Sequence, residues 1–151
     1  MNRLIEDYLR TRGVRYFRGH HDDEYFYLVD FVVGADRGRL NVHLEVCDAD
    51  RGGLQASITP DRYYPAQSRQ LLEDLVDRCN AGTPAVGSVI HDSCDPMLVG
   101  VQVRGHSRPA DSVALGDFVE AAVACSVDLF GTLAALAQPA RRGPETLRDA
   151  G

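Results

Sequence analysis

Four short stretches carry the side chains best suited to chemistry. His20-His21-Asp22-Asp23 sets two imidazoles beside two carboxylates, the donor types of a zinc or other divalent-metal site. Four consecutive residues cannot all turn to one ion, and no further donor stands at a telling spacing. The stretch therefore reads as a solvated polar loop, and no metal site is expected. His91-Asp92-Ser93-Cys94-Asp95 places a thiol between carboxylates and near an imidazole. A cysteine nucleophile needs a stabilised thiolate, and flanking carboxylates work against it. Turn chemistry accounts for Asp92, Ser93, Asp95 and Pro96 without a reaction. Asp48-Ala49-Asp50-Arg51-Gly52-Gly53 has the sixth-position glycine of an EF-hand loop, but Gly52 and Thr59 stand where the fifth and twelfth ligands belong. Gly82-Thr83-Pro84-Ala85-Val86-Gly87 lacks the lysine and the following helix of a phosphate loop. No serine sits in a nucleophile-elbow context. No catalytic residue, cofactor or metal is expected.

Arg62-Tyr63-Tyr64 and Tyr16-Phe17-Arg18 pair arginine with aromatics that could stack a nucleobase. The charge balance argues otherwise. The 151 residues carry a formal net charge of -6, and all 16 basic residues are arginines scattered along the chain. A basic footprint for nucleic acid or an anionic membrane is missing, so neither is expected as a partner. Met1 to Arg12 is charged and amphipathic, unlike a signal peptide. The one long apolar run, Val119 to Ala137, is rich in alanine and carries Asp128 near its middle. A buried soluble helix is expected there rather than a membrane span. Cys47, Cys79, Cys94 and Cys125 lie far apart with no C-x-x-C, and are expected to be free thiols in a reducing cytoplasm.

The elements that would position these residues follow from periodicity. Leu4, Ile5, Tyr8 and Leu9 form the stripe of a first helix, with Asn2 as cap and Gly13 as terminator. Tyr25 to Val33 is aromatic and β-branched, apolar on both faces, with Asp30 its one charge. Such a run suits a central strand covered on both sides, or an interface. Leu40 to Cys47 and Leu54 to Thr59 alternate as half-buried strands, and the short connectors make an antiparallel meander. Pro60 is expected to stop the third strand, and Pro65 to lie near the first turn of a helix that runs to Asn80. Val86 to His91 and Met97 to Arg104 make a second hairpin, with Gly87 and Gly100 marking a bend or a close approach. A last helix starts at Asp111 or Ser112. Its charges Asp117, Glu120 and Asp128 share one narrow stripe with Ala121, Ala124, Gly131 and Ala135. The apolar arc opposite is wider than one sheet face needs, which points to clasping helices or a subunit interface.

The element order is helix, three strands, helix, two strands, helix. Within it stand Leu71-x-x-x-Leu75 leading to Asn80, the hairpin around Asp92 to Pro96, and Val101-x-Val103 running through a loop into the Leu115 to Leu133 helix. This pattern resembles the YbjN family, whose fold is that of the class I type III secretion chaperones, over roughly Met1 to Ala137. Cys79 departs from relatives that more often carry an aromatic just before the asparagine. The resemblance implies a homodimer presenting a surface to a polypeptide. It implies no cofactor and carries over no catalytic residue.

The expected architecture is a single α+β domain over residues 1–137, in the order α-β-β-β-α-β-β-α. A twisted antiparallel sheet would carry the helices on one face, with residues 138–151 as a flexible tail. The expected function is non-enzymatic: a homodimeric, polypeptide-binding module, chaperone-like or a regulatory adaptor, whose partner is an unidentified protein or peptide. Its partner or dimer surface is placed on Tyr25, Tyr27, Val29 and Phe31, with Phe118, Val127 and Phe130 of the last helix. The competing expectation is a ligand-binding or enzymatic domain with a pocket between sheet and last helix, served by Asp30, His43 and His91.

Overall fold

The computed structural model describes residues 1–33, 36–48, 51–82, 85–136 and 141–142. Helix α1 covers Asn2–Thr11 and is followed by strands β1 (Tyr16–Arg18), β2 (Glu24–Val33), β3 (Asp36–Cys47), β4 (Gly53–Pro60) and β5 (Arg62–Pro65). A single 3-10 turn, Ala66–Ser68, enters helix α2 (Arg69–Asn80). Strands β6 (Val86–Asp92) and β7 (Leu98–Ser107), helix α3 (Ser112–Leu136) and the two-residue strand β8 (Arg141–Arg142) complete the chain. The architecture is α+β in a single domain, as expected. Apart from the Arg141–Arg142 strand, the expected tail lies outside the described residues.

Helix α1 stops where sequence chemistry says it should. The Gly13 N–H donates to the Arg10 carbonyl and the Val14 N–H to the Leu9 carbonyl, with Gly13 at φ +68°, a Schellman ending that favours glycine. Asn2 does not cap the helix. It is already helical, and its Nδ2 donates to Asp23 Oδ1 at 3.0 Å, tying the helix start to the loop before β2. Asp111 does cap α3: its Oδ1 accepts from the Ala114 N–H at 2.8 Å.

The sheet runs β1-β2-β3-β4-β7 with every pairing antiparallel, and β6 lies on the far side of β7. Pro60 does end β4, but the break is only Asp61. The chain resumes as β5, which pairs with the first half of β7 (Tyr64↔Val99) while β4 pairs with the second (Ile58↔Val103). Pro65 therefore closes a strand, and α2 begins at Arg69. Strand β2 is next to the edge, not central, because only the three residues of β1 lie beyond it.

All three helices cover one face. From that face the core takes Tyr25, Tyr27 and Phe31 of β2, Leu40, Val42 and Leu44 of β3, Leu54, Ala56 and Ile58 of β4, and Val99, Val101 and Val103 of β7. Helix α3 answers with Leu115, Phe118, Val119, Leu129, Phe130 and Leu133. It is long and apolar enough to cross a membrane by length and composition, yet these large side chains are spent on the core. Its exposed stripe is Asp117, Glu120, Ala121, Ala124, Asp128 and Ala135. The wide apolar arc is shared between the sheet and α1, which packs along it. Fully burying each such large apolar side chain stabilises by roughly 1.5–3 kcal/mol before entropy is counted.

Candidate partner-binding surface

Because side chains alternate along a strand, the even-numbered residues of β2 point away from the helices. In register across the sheet, Phe17↔Phe26↔His43↔Ser57↔Arg104↔Gly87 form one row of that second face. Among the described residues no helix covers it. Phe17 and Val32 are 53% and 65% exposed, large values for apolar side chains. The Phe26 and His43 rings stack at 4.3 Å, and His43 Nε2 lies 3.7 Å from Glu24 Oε1. Asp30 meets Arg39 at 3.1 Å.

The two sheet edges differ. On the β2 side, β1 pairs only with Tyr25 to Tyr27. From Leu28 onward, among the described residues, no strand lies beyond β2 on that side. On the opposite edge, Asn80 reaches from the end of α2 to β6. Its Nδ2 donates to the Ser88 carbonyl at 2.9 Å, and the Ser88 N–H donates to its Oδ1 at 2.6 Å. One carboxamide thus stands in for a neighbouring strand and blunts that edge.

The residues expected to form a partner or dimer surface are instead part of the core or packed against it. Tyr25, Tyr27, Phe31, Phe118 and Phe130 are buried, and Val29 and Val127 are half-buried against the same core. They sit on the helix-covered face. Tyr25 Oη donates to Glu6 Oε1 at 3.3 Å, the Arg62 guanidinium lies 5.4 Å over Phe31, and Phe31 packs at 6.4 Å from Phe130. Burial pushes the Tyr27 phenol far up, helped by neighbouring Tyr8. The exposed apolar side chains of this region are instead Phe17 and Val32, with half-buried Phe26 and Leu28 beside them.

Asp30, His43 and His91 do not converge on a pocket between sheet and α3. All three lie on the uncovered face, on β2, β3 and β6, with β4 and β7 between the last two. What approaches Gly100 closely is the His91 imidazole, which occupies the space a Cβ there would need.

In the other chemistry-bearing stretches, local hydrogen bonds engage several of the polar groups. Asp23 is engaged by Asn2, the Arg18 guanidinium donates to the Asp22 carbonyl, and among the described residues no His, Cys, Asp or Glu side chains gather in threes. Asp95 Oδ1 accepts from the Met97 N–H at 2.9 Å and Ser93 Oγ from the Asp95 N–H at 3.2 Å, the turn that presents exposed Cys94. Asp48, at φ 54°, accepts from Arg108 at 3.4 Å, while residues 49–50 lie outside the described ones. Gly87, at the end of the rejected phosphate loop, is in a strand, and residues 83–84 lie outside the described ones. Arg62 and Tyr64 are buried; Tyr63 is half-buried. Burial pushes the Cys125 thiol up, with Cys79 and Asp128 adding to it, the wrong direction for a nucleophile.

The described residues thus form a helix-backed antiparallel sheet with one uncovered face and one edge left open from Leu28 onward. No protein-family model and no curated protein matches the chain. A solved structure does: that of YbjN, described as "a putative transcription regulator from E. coli", with a TM-score of 0.61. The match covers 87% of this chain and 89% of that one at 12% identity, so it shows a shared fold. The fold is YbjN-like, as the element order implied.

Proposed function

We propose that this chain is a non-enzymatic polypeptide-binding module, a chaperone-like or regulatory adaptor, working as a homodimer. The observation that carries the reading is the corner of the sheet where β2 has an open edge from Leu28 onward beside exposed Phe17 and Val32. An open edge offers main-chain hydrogen bonds to an extended segment, and neighbouring apolar side chains select its residues. The regulator description of the structurally similar YbjN supports an adaptor over a metabolic role. The resemblance in element order supports the dimer. A net charge of -6 supports a protein partner over nucleic acid.

Selection of a displayed peptide library on the purified chain tests this. Enriched peptides should carry alternating apolar residues. Bound, they should slow amide exchange at residues 28–33, and Val32→Lys should weaken them about tenfold. No enrichment after several rounds, or peptides that protect only other parts of the chain, would sink the proposal.

A further inference from the structure

We infer that a hollow in the uncovered sheet face binds a small oxyanion, a carboxylate or a phosphate group. The site is separate from the β2 corner and does not depend on the polypeptide reading. The hollow has a volume of about 310 Å³, and its lining includes Gln55, Ala85, Gly87, Arg104 and His106. Register explains why it exists. Arg104 stands beside Gly87 of β6, which has no side chain, so nothing fills the space on that side. His106 follows two residues along the same strand and lies opposite Gln55.

The charge in this hollow is not neutralised from within. Most described arginine side chains stand within 4 Å of a carboxylate, in exposed ion pairs such as Arg12–Glu120 and Arg39–Asp30. Arg104 and His106 have no such partner among the described residues. The acids of this face are Asp30, which is paired with Arg39, and Glu24 and Glu45, which belong to the row Glu24↔Glu45↔Gln55↔His106. The nearer one, Glu45, is two strand spacings from His106, roughly 10 Å. Arg104 Nε donates to Gln102 Oε1 at 2.5 Å, which holds the root of the guanidinium and leaves its outer N–H groups for a ligand. A planar guanidinium fork matches carboxylate and phosphate oxygens, and Gln55 and His106 add donors at the next row. The volume sits at the small end of ligand sites, which suits a small molecule rather than a chain.

Amide NMR of the full chain, titrated with inorganic phosphate, with succinate and with sodium chloride at matched ionic strength, tests the site. The expected result is saturable shifts at residues 86–87 and 104–106 with at least one oxyanion and not with chloride. Binding should fall about tenfold in Arg104→Gln, an exposed change that leaves the fold intact. Gly87→Val should abolish it by filling the hollow; a Cβ there meets nothing nearer than Asn80 Oδ1 at 3.7 Å. A response to phosphate alone assigns a phosphate ligand, and one to succinate alone a carboxylate. No saturable shift with either, equal shifts with chloride, or undiminished binding by Arg104→Gln would overturn the inference.

Discussion

Tyr64 is a core aromatic whose hydroxyl does not belong in a core. The ring is fully buried, and among the described residues the hydroxyl finds no hydrogen-bond partner. A buried unpaired hydroxyl costs about 1–3 kcal/mol. Tyr64→Phe is therefore expected to stabilise the protein by about 1 kcal/mol in urea unfolding at pH 7; a loss of stability would show that the hydroxyl is satisfied. Burial also pushes this phenol up to about 12, with Arg62 pulling it down and Asp61 pushing it up. An unfolded tyrosine ionises near pH 10. Between pH 10 and 12 the unfolded chain has released a proton that the folded chain keeps. Stability that is fully present below pH 10 therefore falls as the pH rises, by about 3 kcal/mol for this residue. Tyr64→Phe should flatten that fall, and an unchanged slope in denaturant midpoint against pH would refute the assignment. Residue type does not single out Tyr64 from Tyr63, adjacent tyrosines that both precede Pro65. Only the alternation of β5 decides which one turns inward.

The elements show which signals are local and which are not. Helices α1, α2 and α3 are legible because each carries its own stop or start: Gly13 at a positive φ, Asn80 followed by Ala81-Gly82, Asp111 as a cap. Strands β1 and β5 are not legible. Each is four residues or fewer, and each exists because a longer neighbour, β2 or β7, offers it a ladder. Asn80 is visible in the sequence only as a terminator, while its carboxamide also closes the β6 edge eight residues on. Asn80→Ala removes both hydrogen bonds and uncovers that edge. It should cost about 1–2 kcal/mol and introduce concentration-dependent association, read by light scattering. Asn80→Asp keeps the acceptor for the Ser88 N–H and loses the donor, so it should fall between the two. If Asn80→Ala stays monodisperse to the same concentration as the parent, the carboxamide does not guard the edge.

At the scale of the whole molecule, the two faces of β2 divide into one spent on folding and one that no described helix covers. The sequence makes both faces apolar, and the odd-numbered residues, being aromatic, look like the better surface. The structure assigns them to the core because the helices need the larger side chains to fill the space over a five-strand span. A signal for the correct parity was present: Asp30 is the one charge in the run, and it shares its face with Phe26, Leu28 and Val32. A charge opposite packed helices would need burial with a partner, whereas Asp30 meets Arg39 in solvent. Two neighbouring substitutions separate the faces. Phe31→Ala empties a site packed by Phe130 and the Arg62 guanidinium, and should cost about 3–5 kcal/mol of stability. Val32→Lys lies on the exposed face and should change stability by no more than about 0.5 kcal/mol. Under the polypeptide-binding proposal, Val32→Lys should weaken the selected peptides about tenfold while leaving the unfolding midpoint and the oligomeric state in light scattering almost unmoved, because the β2 edge serves the peptide and not the second copy. A parent chain that is monomeric at micromolar concentration removes the dimer. A dimer that Val32→Lys dissociates places the interface on β2 and takes that edge away from the peptide.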